Sequence, residues 1–423
     1  MAKAVPTILL LLCAAAPLRA QAAATLVLTR ADAVTRALDH NPQLEVAREQ
    51  TAQARARITE SAAFPDLSLN ADWNGLTGPF RLRSGNGSDY GAGITVPFPQ
   101  KFLLKNRVAS ADYRNFQFAY LQIRQQTASQ TLQAYDALLV ALRHRDDIRQ
   151  GDSLATVFVA KTEAQFTAGI VAKIDVIKAR VDQAQVRNQL IANERDIANA
   201  RAALNRLLGQ TLGAAVVPAD TLIVPGALGD LDSLVGRATG ERPEVQGLAS
   251  ERRGASAAAS LAQQYFLPDL SLGVTKNLTV GTPDSYTFAL GFSFPLLFWN
   301  HQRGEVAEAR HHERELDAAA RDLTAQVEQE VRAAWAAADA AVRQSTYLRD
   351  QLLPQAREAY RIVSVNYGLG GASSLDVLDA KRTLLDAESQ YTDALGAAND
   401  AMAQLDLAVG SPLAGTSGGP DVR

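Results

Sequence analysis

Few residues in this sequence have the type and spacing for chemistry. His311 and His312 stand side by side with Glu313 and Glu315 beyond them, imidazoles and carboxylates of the kind that bind transition metals. The surrounding sequence favours helix, where consecutive positions point about 100° apart, so the two rings do not converge and the group reads as a solvated charged face. Asp376 and Asp379, three residues apart where a helix begins, share one face and can either cap that helix or gather charge at a surface. Cys13 is the only cysteine, and it lies in an N-terminal segment expected to be removed, which leaves no disulfide, thiolate nucleophile or cysteine metal site. No phosphate-binding glycine loop, nucleophile elbow or zinc-binding helix motif occurs, so the expectation is a protein without cofactor that catalyses nothing.

The N-terminus carries Lys3, the apolar run Ile8 to Leu12 and the small-residue stretch Ala20-Gln21-Ala22, the layout of a secretory signal peptide spanning residues 1–22. A lipoprotein signal centred on Cys13 would want a small residue where Leu12 stands. A formal net charge of -3 over 423 residues offers no basic excess for nucleic acid. After the signal no apolar run approaches the ~20 residues of a membrane-spanning helix. The exported chain is therefore expected either to stay in the periplasm or to cross the outer membrane as strands.

The elements that must position these residues are duplicated, at a spacing of about 200 residues. Phe64-Pro65-Asp66-Leu67-Ser68-Leu69 returns as Leu267-Pro268-Asp269-Leu270-Ser271-Leu272, Asn41-Pro42 as Arg242-Pro243, and Phe166 with Ile174-Asp175-Val176-Ile177 as Tyr367 with Leu375-Asp376-Val377-Leu378. Residues 23–230 and 231–410 are expected to be two repeats of one order, helix, strand pair, long helix, tip and helix, followed by a tail at 411–423. No proline interrupts Lys101 to Val217, and the composition favours helix. Lys101 to Gln165 would reach roughly 100 Å, too long for a compact domain. In the returning arm Ile174, Ile177, Val181, Ala184 and Ile191 mark a coiled-coil seam expected to hold the helical walls together. The lengths of Lys173–Leu208 and Glu244–Tyr265 predict two short helices stacked end to end beside the long one, with a belt at Gly209–Gly229 between them.

Four stretches alternate with a period of two. Leu67, Leu69, Ala71 and Trp73 oppose Ser68, Asn70 and Asp72; Tyr90, Ala92, Ile94 and Val96 oppose Gly91, Gly93 and Thr95. Leu270, Leu272 and Val274, then Tyr286, Phe288, Leu290, Phe292 and Phe294, repeat the pattern. The runs have about the 9–11 residues that a tilted transmembrane strand needs. A soluble sheet would need a second layer, and the rest of the chain is committed to long helices. Four strands also leave two edges that hydrocarbon does not tolerate, and a barrel needs at least about eight. Three copies would supply about twelve, with Leu67, Leu69, Trp73, Tyr90, Ile94, Leu270, Leu272, Phe288, Leu290 and Phe292 toward lipid and Asn70, Asp72 and Ser293 toward a wet lumen. The fold class expected is mainly α with a transmembrane β-barrel part.

Over nearly the whole mature chain these residues resemble the TolC-like outer-membrane efflux proteins. Phe166 to Val176 is similar to the family's first helix-hairpin tip, which implies an adaptor contact at Ala168-Gly169-Ile170; the second tip, Tyr367 to Asp379, implies a like contact at Leu369, Gly370 and Gly371. The resemblance further implies that Asp376 and Asp379 ring a periplasmic entrance with Tyr367 beside them. It departs at Ala372, where the family member compared has an arginine that latches the closed entrance through that tyrosine, so the closing network here must differ. Phe294-Pro295-Leu296-Leu297-Phe298-Trp299-Asn300-His301-Gln302-Arg303-Gly304 resembles the corner from barrel to helix in the heavy-metal branch, though any strand-to-helix corner can use Pro and Gly.

What the resemblance implies is a homotrimeric exit duct in the outer membrane of a Gram-negative cell, with lipid, a periplasmic adaptor and an inner-membrane transporter of RND type as partners. The rivals are the exit duct of a type I protein-secretion system and a soluble periplasmic coiled-coil adaptor. The last would lack the four lipid-length strands.

Overall fold

A computed structural model describes residues 26–74, 87–293 and 298–410. The expected signal peptide with Cys13, the C-terminal tail and the Phe294–Leu297 part of the corner lie outside the described residues.

The described residues open with strand β1 (Leu26–Leu28), then helices α1 (Arg30–His40) and α2 (Pro42–Ser61). Strands β2 (Ser68–Asn74) and β3 (Gly87–Val96) precede α3 (Pro99–Thr167), whose 69 residues reach about 100 Å at ~1.5 Å per residue. Helix α4 (Lys173–Leu207) and strand β4 (Val216–Pro218) complete the first half. The second half repeats the order with α5 (Leu231–Glu241), α6 (Pro243–Gln263), β5 (Asp269–Thr279), β6 (Ser285–Ser293), α7 (Phe298–Tyr347), α8 (Leu353–Gly368) and α9 (Ser374–Val409). A single π-helical turn, Leu348–Leu352, joins α7 to α8 just before Pro354. A proline inside a helix leaves an i−4 carbonyl without its donor, and a wider turn is one way to accommodate that loss.

The repeated Asn41-Pro42 and Arg242-Pro243 pairs start α2 and α6, each with proline at the first helical position, where the missing N–H costs nothing. They also govern how the helices stack. Asn41 Nδ2 donates to the Leu207 carbonyl at 3.2 Å, so α2 abuts the end of α4. Arg242 packs against Gly410 at the end of α9, so α6 abuts α9. Matching by length pairs α4 with α6; in the structure α4 instead stacks on α2, and α9 on α6. All four flank α3. Near the sheet, Ser250 of α6 donates to Ala111 O and Arg57 of α2 pairs with Asp112, whereas Asn193 of α4 donates to Ala141 O and Thr392 of α9 to Asp147.

The seam of α4 does not pack on its own chain. Ile174, Ile177, Val181, Ala184 and Ile191 are exposed in the subunit. Helix α4 packs on α3 through Val176, Ala179, Val186, Asn193 and Ile197, which follow the same heptad spacing with less apolar residues. Periodicity identifies the helix and its stripes, but not which stripe meets its own chain.

In the belt, which the sequence predicts to be a connecting segment, β4 pairs with β1 as a two-stranded parallel sheet. Leu28 and Val216 cover a core of Tyr135, Leu138, Leu204 and Leu208. Strands of three residues are too short to show alternation.

Strands β2, β3, β5 and β6 form one antiparallel sheet in the order β2-β3-β5-β6, with edges at β2 and β6. Its register places Leu69, Ala92, Val274 and Phe288 in one row and Ile94, Leu272 and Leu290 in the next. One face is therefore apolar over these rows, with Ser88 and Lys276 entering only toward the β2–β3 and β5–β6 connections, and it is bare: Phe288 is 81% exposed, and Leu69, Leu290 and Phe292 are exposed with it. Of the other residues expected there, Leu67 lies exposed just ahead of β2, Trp73 and Tyr90 form an edge-on pair at 6.5 Å, and Ile94 and Leu270 are half-buried by their neighbours. Ser68, Asn70 and Asp72 share the opposite face with Gly91, Gly93 and Gly273. A Cβ at Gly91 would lie 2.3 Å from Asn70 Oδ1, because that amide lies flat across the glycine.

Candidate functional site

The end of the molecule remote from the sheet is built from two hairpin tips. Each tip closes by the same glycine device. Gly169, at φ 73°, and Gly370, at φ 80°, adopt the left-handed conformation that terminates a helix. The next N–H in each case reaches back five residues, Ile170 to Gln165 O and Gly371 to Asn366 O, both at 2.9 Å. The tight closure leaves Ala168, Gly169, Ile170, Leu369, Gly370 and Gly371 exposed, Leu369 at 81%.

The helices leaving the tips start on carboxylates. Asp376 Oδ2 accepts from the backbone N–H of Ser373 and from its hydroxyl, both at 2.8 Å, while the Ser373 hydroxyl caps Asp376 N. These bonds, the backbone one first, hold the exposed Asp376 carboxyl below its ordinary pKa. In the first repeat Asp175 takes the same position and accepts from Ala172 N at 3.3 Å. Asp379 is exposed one turn further along α9.

Tyr367 points inward. It is 3% exposed, its hydroxyl lies 3.2 Å from Thr162 Oγ1, its ring sits 5.5 Å from that of Phe158, and Lys161 Nζ stands 5.4 Å above it. Ala372 packs against this cluster. The tips are thus brought together by Phe158, Ala179, Tyr367 and Val377, with Asp376 and Asp379 outside the cluster and Tyr367 within it.

Polar ties reinforce the junction. Ser374 Oγ donates to Asp175 Oδ1 at 2.6 Å, Lys161 Nζ to Ser364 O at 3.2 Å and Gln165 Nε2 to Tyr367 O at 3.3 Å, and Lys381 of α9 is bonded to Asp182 of α4. Sequence reasoning missed Lys381, although a lysine at helical spacing between Val377 and Leu384 was a usable signal. It also missed a buried centre in the belt. There Arg30 Nε donates to Asp136 at 2.9 Å, and its backbone N–H to Asp220 at 2.6 Å. Burial pushes the Asp136 carboxyl up to about 6 against the pull of Arg30. His312 Nδ1 lies 3.2 Å from Glu315 Oε2 on the exposed side of α7, and among the described residues no three His, Cys, Asp or Glu side chains converge as metal ligands.

The sequence model of the outer membrane efflux protein family matches residues 33–210 and again residues 234–411, the two halves of the duplication. The cobalt-zinc-cadmium resistance protein CzcC of Cupriavidus metallidurans is similar over 304 residues at 26% identity, which spans 68% of each chain. Among solved structures, the outer-membrane channel OprN aligns with a TM-score of 0.78 at 18% identity over 90% of both chains. CusC aligns with a TM-score of 0.75 at 19% identity over 90% of this chain and 91% of its own. At these identities the structural likeness speaks for the fold.

Proposed function

The chain belongs to the outer membrane efflux protein family and works as an outer-membrane exit duct of tripartite efflux, and from that premise we propose that three copies close the duct and that the hairpin tips form its periplasmic entrance. The observation that supports the reading best is the sheet: four strands with a bare apolar face and two open edges, attached to helices of about 100 Å. The family consists of channels rather than enzymes, and it works with adaptor and inner-membrane pump partners. The finer assignments are ours. An adaptor docks on Ala168, Gly169, Ile170, Leu369, Gly370 and Gly371; Asp376 and Asp379 line the entrance; Tyr367 holds the tips together behind them; and the pump is of the RND type.

We further propose transition-metal cations as the cargo, supported by the similarity to a cobalt-zinc-cadmium resistance protein and by the carboxylates at the tips. A deletion strain carrying the parent gene should regain tolerance to cobalt, zinc or cadmium. Gly169→Asn, which tolerates the left-handed conformation but adds a side chain, should assemble as well as the parent yet restore nothing. Metal tolerance unaffected by deletion, with drug tolerance lost, would make this a drug duct. Full complementation by Gly169→Asn would remove the adaptor from that tip.

A further inference from the structure

Helix α9 buries a line of polar residues at heptad-like spacing: Ser374, Lys381, Glu388, Thr392 and Asn399. Each has a partner on another element. Ser374 meets Asp175 and Lys381 meets Asp182, both on α4; Glu388 meets Arg357 on α8; Thr392 meets Asp147 on α3; and Asn399 meets Arg30. Lys381 is the extreme case. It is 1% exposed and the one buried lysine among the described residues, and Asp182 supplies its counter-charge.

Such a pair is a poor way to gain stability. Removing an ammonium and a carboxylate from water costs about as much as their attraction returns, and apolar residues of similar volume usually serve as well or better. What a buried pair does supply is register. Asp175 and Asp182 are one heptad apart on α4, as Ser374 and Lys381 are on α9. Sliding one hairpin by a heptad would set Lys381 against Asp175 and strand Asp182 without its cation. A buried polar residue in a helical seam specifies alignment in this way. The tie also spans the two repeats: α3 and α4 form one hairpin, α8 and α9 the other, joined toward the tips by the Phe158–Ala179–Tyr367–Val377 cluster, by Leu154 packed on the cluster of Leu353 and Leu384, and by hydrogen bonds.

We propose that Lys381 is a positioning residue for the entrance: through Asp182 it clamps the second hairpin to the first and sets how far the tips stand apart. It serves where Ala372 offers no latch, and it rests on reading the tips as the entrance. The full-length protein in planar bilayers tests it with Lys381→Met, which keeps the length and removes the charge, and with Lys381→Met combined with Asp182→Leu, which removes both charges. The double variant should assemble and melt like the parent or at a higher temperature, yet conduct several-fold more current. In cells it should admit a large antibiotic that the parent excludes. Parental conductance in the assembled double variant overturns the clamp, whether or not the single variant folds. Asp376→Asn with Asp379→Asn, measured alongside, separates the two ideas. Altered ion selectivity there with parental conductance in the double variant means that the tips are the entrance and Lys381 does not set it. Parental selectivity in the aspartate variant leaves both residues as caps, and the conductance of the double variant then decides the clamp by itself.

Discussion

Asp376 performs a local task that can be separated from its proposed task at the entrance. As the third residue of α9 it accepts two hydrogen bonds from Ser373, a geometry any helix start could use. Three-fold symmetry would add the second task by gathering six carboxylates of Asp376 and Asp379 around one opening, where their summed field favours cations. Replacing both with asparagine keeps an accepting oxygen for the cap and removes the charge. The pores should then lose cation selectivity and their block by multivalent cations applied from the periplasmic side. Selectivity and block equal to the parent's would leave both residues as caps. The pH dependence follows from the sign of the shift. A carboxyl whose folded pKa is depressed contributes stability that is present above its unfolded value, about 3.9, and lost as pH falls through the folded one, so the Asp376 cap should hold, with helix content by circular dichroism constant, from neutral pH down to about 5. At this scale the sequence was legible where a residue type has few uses. Gly169 and Gly370, in breaks between long helices, had to be turns, and an aspartate at a helix start was open to reading as a cap. Tyr367 was placed near the aspartates by resemblance, and its burial against Thr162 and Phe158 depends on contacts between repeats that no local pattern carries.

The strands were the most legible elements, because a period of two with Gly, Ser and Asn gathered on one face suits a pleated sheet and cannot form a stripe on a helix. The register then brings every expected apolar residue within the paired strands to one side. Helix lengths were legible from the proline-free run. Helix neighbours were not, since length matching cannot tell α2 from α6 as the continuation of α4, and the contact that decides it is one amide on Leu207 O. The stripe on α4 shows the same limit from another side. Its most apolar face, Ile174, Ile177, Val181 and Ile191, turns away from its own chain, and the less apolar face of Ala179 and Asn193 packs on α3. An exposed aliphatic stripe along a helix is a surface for another helix, and here the occupant we expect is a second subunit. Val181→Glu should therefore leave the helix content of the subunit unchanged by circular dichroism while lowering the trimer fraction. Ala179→Glu, buried against α3, should reduce both. A Val181→Glu protein as trimeric as the parent would exclude that stripe from the subunit interface.

At the scale of the molecule, one subunit is an incomplete object. Among the described residues, strands β2 and β6 each present a row of unpaired backbone groups, and Phe288, Leu290 and Phe292 cover a face with no second layer, an arrangement stable neither in water nor as an open sheet in lipid. Pairing β6 of one copy with β2 of the next removes every edge only when the ring closes. With four strands from each chain, three copies reach a barrel of about twelve, wide enough for a wet lumen. The same closure would bring the exposed α4 stripe against a neighbour and gather the tips around one axis. The mass of the protein extracted from the outer membrane into detergent, with bound detergent accounted for by combined light scattering and refractive index, tests this most directly. The account predicts one species of three chains. A folded, helical species of a single chain that persists at high concentration would contradict it.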